Sequence, residues 1–174
     1  QERTSVVMTY AVGKAQRLLA GLDPNIGPIG IHGALVGPTE VYRAAGIKLP
    51  KTIRAGRETA TELQGQGIIV CPPSAAGTPW IRRFSGKDGM ETAFASGWMA
   101  VRGRQRWRGV DRGFILSDHA DWDGLLNIVR NSNAKRVGVT HGSTEAFSRY
   151  LREFEGLESF VLGDQRATSD GDDG

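Results

Sequence analysis

The chain of 174 residues holds three histidines and one cysteine, so His32, His119, His141 and Cys71 are its whole supply of imidazole and thiol groups. Two of the imidazoles stand in short polar segments, Ser117-Asp118-His119-Ala120-Asp121 and Thr140-His141-Gly142, 22 residues apart. A histidine near neutral pH can ligate a metal, move a proton or donate to a phosphate oxygen. Asp121 is placed to orient His119 or to balance its charge, and Ser117 offers a hydroxyl to a phosphate. Helix capping by Asp121 and plain hydration of both imidazoles are the structural alternatives. Four nitrogen and sulfur ligands are few for a complete metal site. A single Cys71 forms neither an internal disulfide nor a cysteine-based zinc site, and with no histidine beside it the residue reads as a buried structural thiol. His32 reads as a loop or helix-start residue.

Guanidinium groups carry a second chemistry. In Arg102-Gly-Arg-Gln-Arg-Trp-Arg108 a strand would project Arg102, Arg104, Arg106 and Arg108 from one face, because side chains alternate with period two. Such a row suits phosphate oxygens along a DNA or RNA backbone, and Trp80, Trp98 and Trp107 could stack on bases. The competing role is a solvated edge strand kept from aggregating by its charge. The net charge of +3 understates this basicity. Setting aside the Gly163–Gly174 tail, with four aspartates and Arg166, leaves 21 basic of 22 and 15 acidic of 19. A basic body favours polyanions. Gly13-Lys14 is a further candidate phosphate cradle, but it lacks the spacing of a P-loop and no Ser or Thr follows the lysine.

These residues need a scaffold that holds loops at strand ends, and the pattern supplies one. Ser5–Thr9 is a β-branched run, and Ala15, Leu18, Leu19 and Leu22 follow at helical spacing. Ile29–Ile31 reads as a strand, Thr39–Ile47 as a helix opened by Gly37-Pro38, and residues 48–66 as a loop or irregular helix. Gly67–Cys71 reads as a buried strand, with a helix from Thr78-Pro79 to Phe84 behind it; Glu91–Ala95 and Trp98–Arg108 read as consecutive strands. Strand Gly113–Leu116, helix Asp121–Arg130, strand Arg136–Thr140, a helix capped at Ser143 and strand Ser159–Leu162 then make a βαβαβ run. The fold class is therefore α/β, a mainly parallel sheet with covering helices, and both site histidines follow strands, where ligands of such sheets bind.

The Ser117–Asp121 block resembles motif B, and Val139-Thr140-His141-Gly142 resembles motif C, of the metallo-β-lactamase-fold nucleases of the β-CASP family. Thr9-Tyr-Ala-Val-Gly-Lys-Ala-Gln-Arg17 is similar to the segment that opens the inserted domain of that family. Leu116–Trp122 is closest in appearance to the bacterial ligase-associated DNA exonuclease group, also labelled mRNA 3′-end processing exonuclease-like. The likeness runs from about Val6 to Leu162. It implies a β-CASP domain over 1–96, the C-terminal part of a metallo-β-lactamase domain over 97–163 and a disordered acidic tail over 164–174. It also implies that His141 ligates one of two catalytic metals, usually zinc, and that His119, with Asp121, assists the leaving oxygen of a scissile phosphate.

The His-x-His-x-Asp-His block that supplies most metal ligands in that family is absent from the sequence and would lie before Gln1. The expectation is thus a fragment of a metal-dependent nuclease acting on DNA or RNA, inactive without a missing N-terminal half and unable to bind its zinc fully by itself. The alternative is a metal-free nucleic-acid-binding module. With 39% hydrophobic residues, a mean hydropathy of −0.31 and no apolar run of the length a bilayer requires, the chain does not read as a membrane protein. Its polar start does not resemble a secretory signal, and the expected compartment is the cytoplasm.

Overall fold

The computed structural model describes residues 3–100 and 109–163. They fall into two compact units, Gln1–His119 and Ala120–Gly174. In the first unit the elements run β1 (Thr4–Met8), α1 (Lys14–Ala20), β2 (Ile29–Ile31), α2 (Gly33–Ala44), β3 (Ile53–Arg54), α3 (Ala60–Leu63), β4 (Ile68–Cys71), α4 (Pro79–Arg82), β5 (Met90–Ala95) and β6 (Arg112–Phe114). The six strands form one sheet in the order β3-β2-β4-β1-β5-β6, and every neighbouring pair is parallel. The α/β class read from the alternation of strand and helix patterns is the class observed.

The strand residues explain the layers. In β1 and β4 the register sets Val6 opposite Ile69 and Val7 opposite Val70. Alternation then sends Val6, Met8, Ile69 and Cys71 to a core with Leu63, Phe84 and Phe94, while Val70 joins Ala15, Leu19, Ile29, Ile31 and Leu35 on the other side. Both faces are covered, as a parallel sheet requires, so these strands read as continuous apolar runs rather than alternating ones. Cys71 is fully buried, and burial pushes its thiol up to about 12, which makes it the inert structural residue expected.

Three elements differ from the sequence reading. Helix α2 starts four residues before Gly37 because His32 caps it, its Nδ1 accepting from Ala34 N at 3.1 Å; Pro38 lies inside the helix instead of opening it. Residues 48–66 hold the short strand β3 and the single turn of α3. Gly97–Ala100 is a 3-10 turn rather than the start of a strand, held by Met99 N donating to Ser96 O. The strand expected over Trp98–Arg108 otherwise lies outside the described residues, as does the acidic tail 164–174.

The second unit contains α5 (Trp122–Ser132), β7 (Arg136–Val139), α6 (Thr144–Glu153) and β8 (Glu158–Val161), with β7 and β8 paired in parallel. The expected β-α-β-α-β succession is present from β6 onward, with β6 paired to β5 in the first sheet. Leu126, Phe147 and Leu151 form the core of this unit, with Val137 and Val139 of β7 turned towards them. The opposite face carries Arg136, Gly138, Phe160 and Leu162: a Cβ on Gly138 would stand 3.1 Å from Phe160, and the Arg136 guanidinium lies 4.6 Å from the Phe160 ring centre. Leu162 on this face is half exposed.

Thr4 shows how the first unit is closed. Its side chain is fully buried at the start of β1, where Oγ1 donates to Phe84 O at 2.5 Å and accepts from Gly65 N at 2.7 Å, tying β1 to the ends of α3 and α4. Thr4→Val keeps the shape but leaves a buried carbonyl and a partly buried N–H without their partner. The expected cost is about 1–3 kcal/mol in urea unfolding of the whole chain, and an unchanged midpoint would contradict it.

Candidate functional site

A parallel sheet has one rim where all strands end, and topology opens it at two places. From β2 the chain moves outward to β3, whereas from its neighbour β4 it moves the other way to β5; likewise β1 leads one way to β2 and β5 the other way to β6. Connections part there, leaving crevices at β2/β4 and β1/β5 of the kind that take ligands in α/β sheets.

The β1/β5 opening receives the Ser117–His119 segment that follows β6. Gly97, just past β5, lets Ser117 approach: a Cβ there would stand 3.3 Å from Ser117 Cβ. Arg17 of α1 donates through Nη1 to the Ser117 carbonyl, and the Ser117 hydroxyl accepts from His119 N at 3.2 Å. Asp118 points back onto the β1–α1 turn, where its Oδ1 is 3.2 Å from Lys14 Nζ. That lysine is only 7% exposed along its side chain and also lies 4.9 Å from the Tyr10 ring centre. Gly13 has a φ of 77°, and a Cβ on it would come within 2.7 Å of Asp118 Oδ2, so both the turn and the carboxylate require glycine here. Burial alone would raise the Asp118 carboxyl; the Lys14 hydrogen bond, its own backbone N–H and the charges of Lys14 and His119 outweigh this and hold it below the usual carboxylate range.

His119 itself is presented to solvent. Its side chain is 83% exposed, and its Nε2 lies 3.8 Å from Asp118 Oδ1. Asp118 was not singled out in the sequence, although its signal was present: Gly13-Lys14 is a cation at a tight turn, and its partner is this internal carboxylate. A lysine so engaged is not offered to a nucleotide, and the cradle read from Gly13-Lys14 is occupied by Asp118.

In the second unit Asp121 is the N-cap of α5, its Oδ1 accepting from Gly124 N at 2.8 Å. His141 follows β7 in an exposed turn with a φ of 62°, succeeded by Gly142 at 75°. Its Nδ1 is 3.0 Å from Thr140 Oγ1. Asp121, Trp122, Thr140, His141 and Gly142 line one cleft of about 440 Å³ floored by Val137, Val139 and Phe147. A left-handed backbone at a non-glycine residue costs of order 1–3 kcal/mol, and such strain gathers at functional sites. Ser143 stands at the start of α6 but its side chain caps nothing; only its carbonyl accepts, from Phe147 N.

The zinc that the family likeness implies can be weighed against these donors. Among the described residues no group of three or more His, Cys, Asp or Glu side chains converges on a point, so His141 belongs to no such group and the described residues do not fit a metal centre of their own. The arginines 102, 104, 106 and 108 lie outside the described residues.

The fold and rim thus define an α/β unit with polar turns beyond parallel strands. No protein-family model matches the chain. It is 33% identical over 159 residues to a protein of Opitutus terrae described as a probable DNA ligase, a match that covers 91% of this chain and 15% of that protein. The chain therefore spans only a small part of the length of this curated relative.

Two outcomes follow from the geometry. Asp118→Asn leaves the Lys14 ammonium nearly buried without its counter-charge and is expected to cost about 1–3 kcal/mol, less than a fully buried pair because Asp118 is partly solvated. The contribution of the pair is present above the unfolded carboxyl pKa of about 3.9 and is lost as pH falls through the lower folded value. Urea unfolding between about pH 2 and pH 6 should show a weaker pH dependence for Asp118→Asn than for the wild type, and parallel curves would refute the pairing. His141→Gly is expected to stabilise the chain by about 1 kcal/mol by relieving the left-handed backbone, whereas His141→Ala does not. A loss of stability in His141→Gly would show that the imidazole holds the turn.

Proposed function

We propose that this chain is a DNA-processing module of the metallo-β-lactamase-fold, β-CASP nuclease type. The observation that carries the reading is that both motif histidines are presented in exposed segments that follow parallel strands, His119 after β6 and His141 after β7. An imidazole left open to solvent is available for chemistry. The likeness to a probable DNA ligase supports DNA as the polymer handled. In this reading His119 donates to the leaving oxygen of a phosphodiester, with Asp121 holding the turn that follows it. His141 would offer one imidazole to a metal if the remaining ligands were supplied by a segment bearing His-x-His-x-Asp-His. Arg102, Arg104, Arg106 and Arg108, with Ser117, contact the phosphate backbone. The sheet face carrying Phe160 and Leu162 fits a chain that packs against further polypeptide, since parallel sheets are normally covered on both sides.

A second reading rests on the lack of converging ligands among the described residues: a module that binds DNA without metal. Both readings expect the chain by itself to bind labelled single-stranded DNA, with affinity falling about tenfold or more between about 50 and 200 mM salt. Absent or salt-insensitive binding in fluorescence anisotropy would overturn both. Nuclease assays with zinc or manganese separate them. The chain alone should release no nucleotides; joined to the segment encoded ahead of it, if that segment carries His-x-His-x-Asp-His, it should hydrolyse DNA, with activity lost in His141→Ala. Equal rates for the wild type and this variant, or no such segment in the reading frame, would remove the nuclease reading and leave the binding module.

A further inference from the structure

We propose that the β2/β4 crevice of the first unit is a binding site for a nucleotide, taking its phosphate on Arg54 and Arg57 and its base against Trp80. The crevice is a cleft of about 530 Å³, within the range of small-ligand sites, and is lined by His32, Arg54, Arg57, Glu58 and Trp80 together with the intervening backbone. It lies apart in the sheet from the β1/β5 opening that Asp118 and Lys14 fill, and it does not rest on the nuclease reading.

Its charge is unspent. Arg54 and Arg57 are both exposed, and among the described residues neither forms an ion pair, although Glu58 stands between Arg57 and Thr59 on the same cleft. The contrast is with Arg43, whose guanidinium is tied to Glu40, to the Pro50 carbonyl and to the Thr52 hydroxyl. Arg54 lies close over Gly33, with Nη2 3.7 Å from where a Cβ would stand, and both residues line the cleft. Two neighbouring guanidiniums with five donors each suit the three oxygens of a phosphomonoester better than one carboxylate does.

Another part of the lining is aromatic and fixed. Trp80 packs edge-on against Phe84 at 5.0 Å and against His32 at 4.5 Å, so its position is set by the core while part of the indole stays open to the cleft. His32 spends Nδ1 on the Ala34 N–H, so its ring proton sits on Nε2 and is available as a donor. A cleft lined by two cations and a rigid ring is the arrangement that reads a phosphate and a base together. Such a nucleotide could be free or could be the phosphorylated end of a DNA strand.

Calorimetric titration of the full chain tests this, with AMP, adenosine and two short single-stranded DNA oligomers identical but for a terminal phosphate. AMP or the phosphorylated oligomer should bind about tenfold or more tightly than its unphosphorylated counterpart, and Arg54→Gln and Arg57→Gln should each erase that preference. Trp80→Phe, which keeps a ring on Phe84, should weaken AMP while far-ultraviolet circular dichroism stays unchanged. A preference confined to AMP identifies a free nucleotide, one confined to the oligomers identifies a strand end, and either upholds the site. Equal binding of phosphorylated and unphosphorylated probes, or a preference that survives both arginine substitutions, would overturn it; Arg102–Arg108 stay intact in these variants, so a phosphate preference that came from them would survive and count against the site.

Discussion

The first unit depends on one geometric constraint: all six strands run the same way. Every connection must then return across the sheet, both faces must be covered, and all carboxyl ends meet on one rim. Apolar side chains are consumed by the two faces, which explains why β1, β2 and β4 are buried almost throughout. The polar side chains that the sequence does contain are displaced to the turns beyond the strands. Tyr10–Lys14, His32, Trp80 and Ser117–His119 all lie there for that reason, and the chemistry of the unit is confined to a line along one edge.

Along that line the two crevices are treated differently. At β1/β5 the cation is Lys14, which is 7% exposed, and leaving such an ammonium without a partner costs about 1–3 kcal/mol. Asp118 removes that cost, and in doing so it fixes the segment that carries Ser117 and His119. The ion pair is therefore structural in its energetics, and next to it the His119 imidazole stands in solvent. At β2/β4 the arginines are exposed and hydrated, and among the described residues no carboxylate pairs with them. Desolvation decides the difference, since a buried charge must be satisfied by the protein whereas an exposed one can wait for a ligand.

The legible part of this molecule was the part governed by periodicity. Apolar runs such as Ile68–Cys71 and helical spacings such as that of Phe147, Tyr150 and Leu151 announced their elements, and the parallel α/β class followed from their alternation. The helix start at Gly33 was hidden because histidine is an uncommon cap and Gly37-Pro38 imitates a start. The Lys14–Asp118 pair was hidden by distance: the two residues are far apart in sequence, and only the pairing of β6 with β5 returns the chain to the β1–α1 turn. Asp121 was placed at the head of a helix by both its type and its position, and the Gly124 N–H confirms the cap. The positive φ of His141 could not be read, since nothing in Thr140-His141-Gly142 distinguishes a left-handed histidine from an ordinary loop residue.

That backbone conformation bears on how the second unit is organised. The four-residue strands β7 and β8 make a sheet too small to be stable by pairing alone, so α5 and α6 must supply its cohesion through Leu126, Phe147 and Leu151. Their packing is complemented by the ring cluster of Trp122, Phe147, Tyr150 and Phe154, whose neighbours stand about 5 Å apart. A strained turn is tolerable only where its surroundings are rigid, and the β7–α6 turn joins the strand and the helix that share this core. The strain at His141 is thus carried by the best-packed part of the unit, and its imidazole is held at the mouth of a cleft whose floor is apolar. The turn that carries this imidazole is set by the backbone and by the core beneath it, while the ring itself stays exposed, with the Thr140 hydroxyl 3.0 Å from its Nδ1.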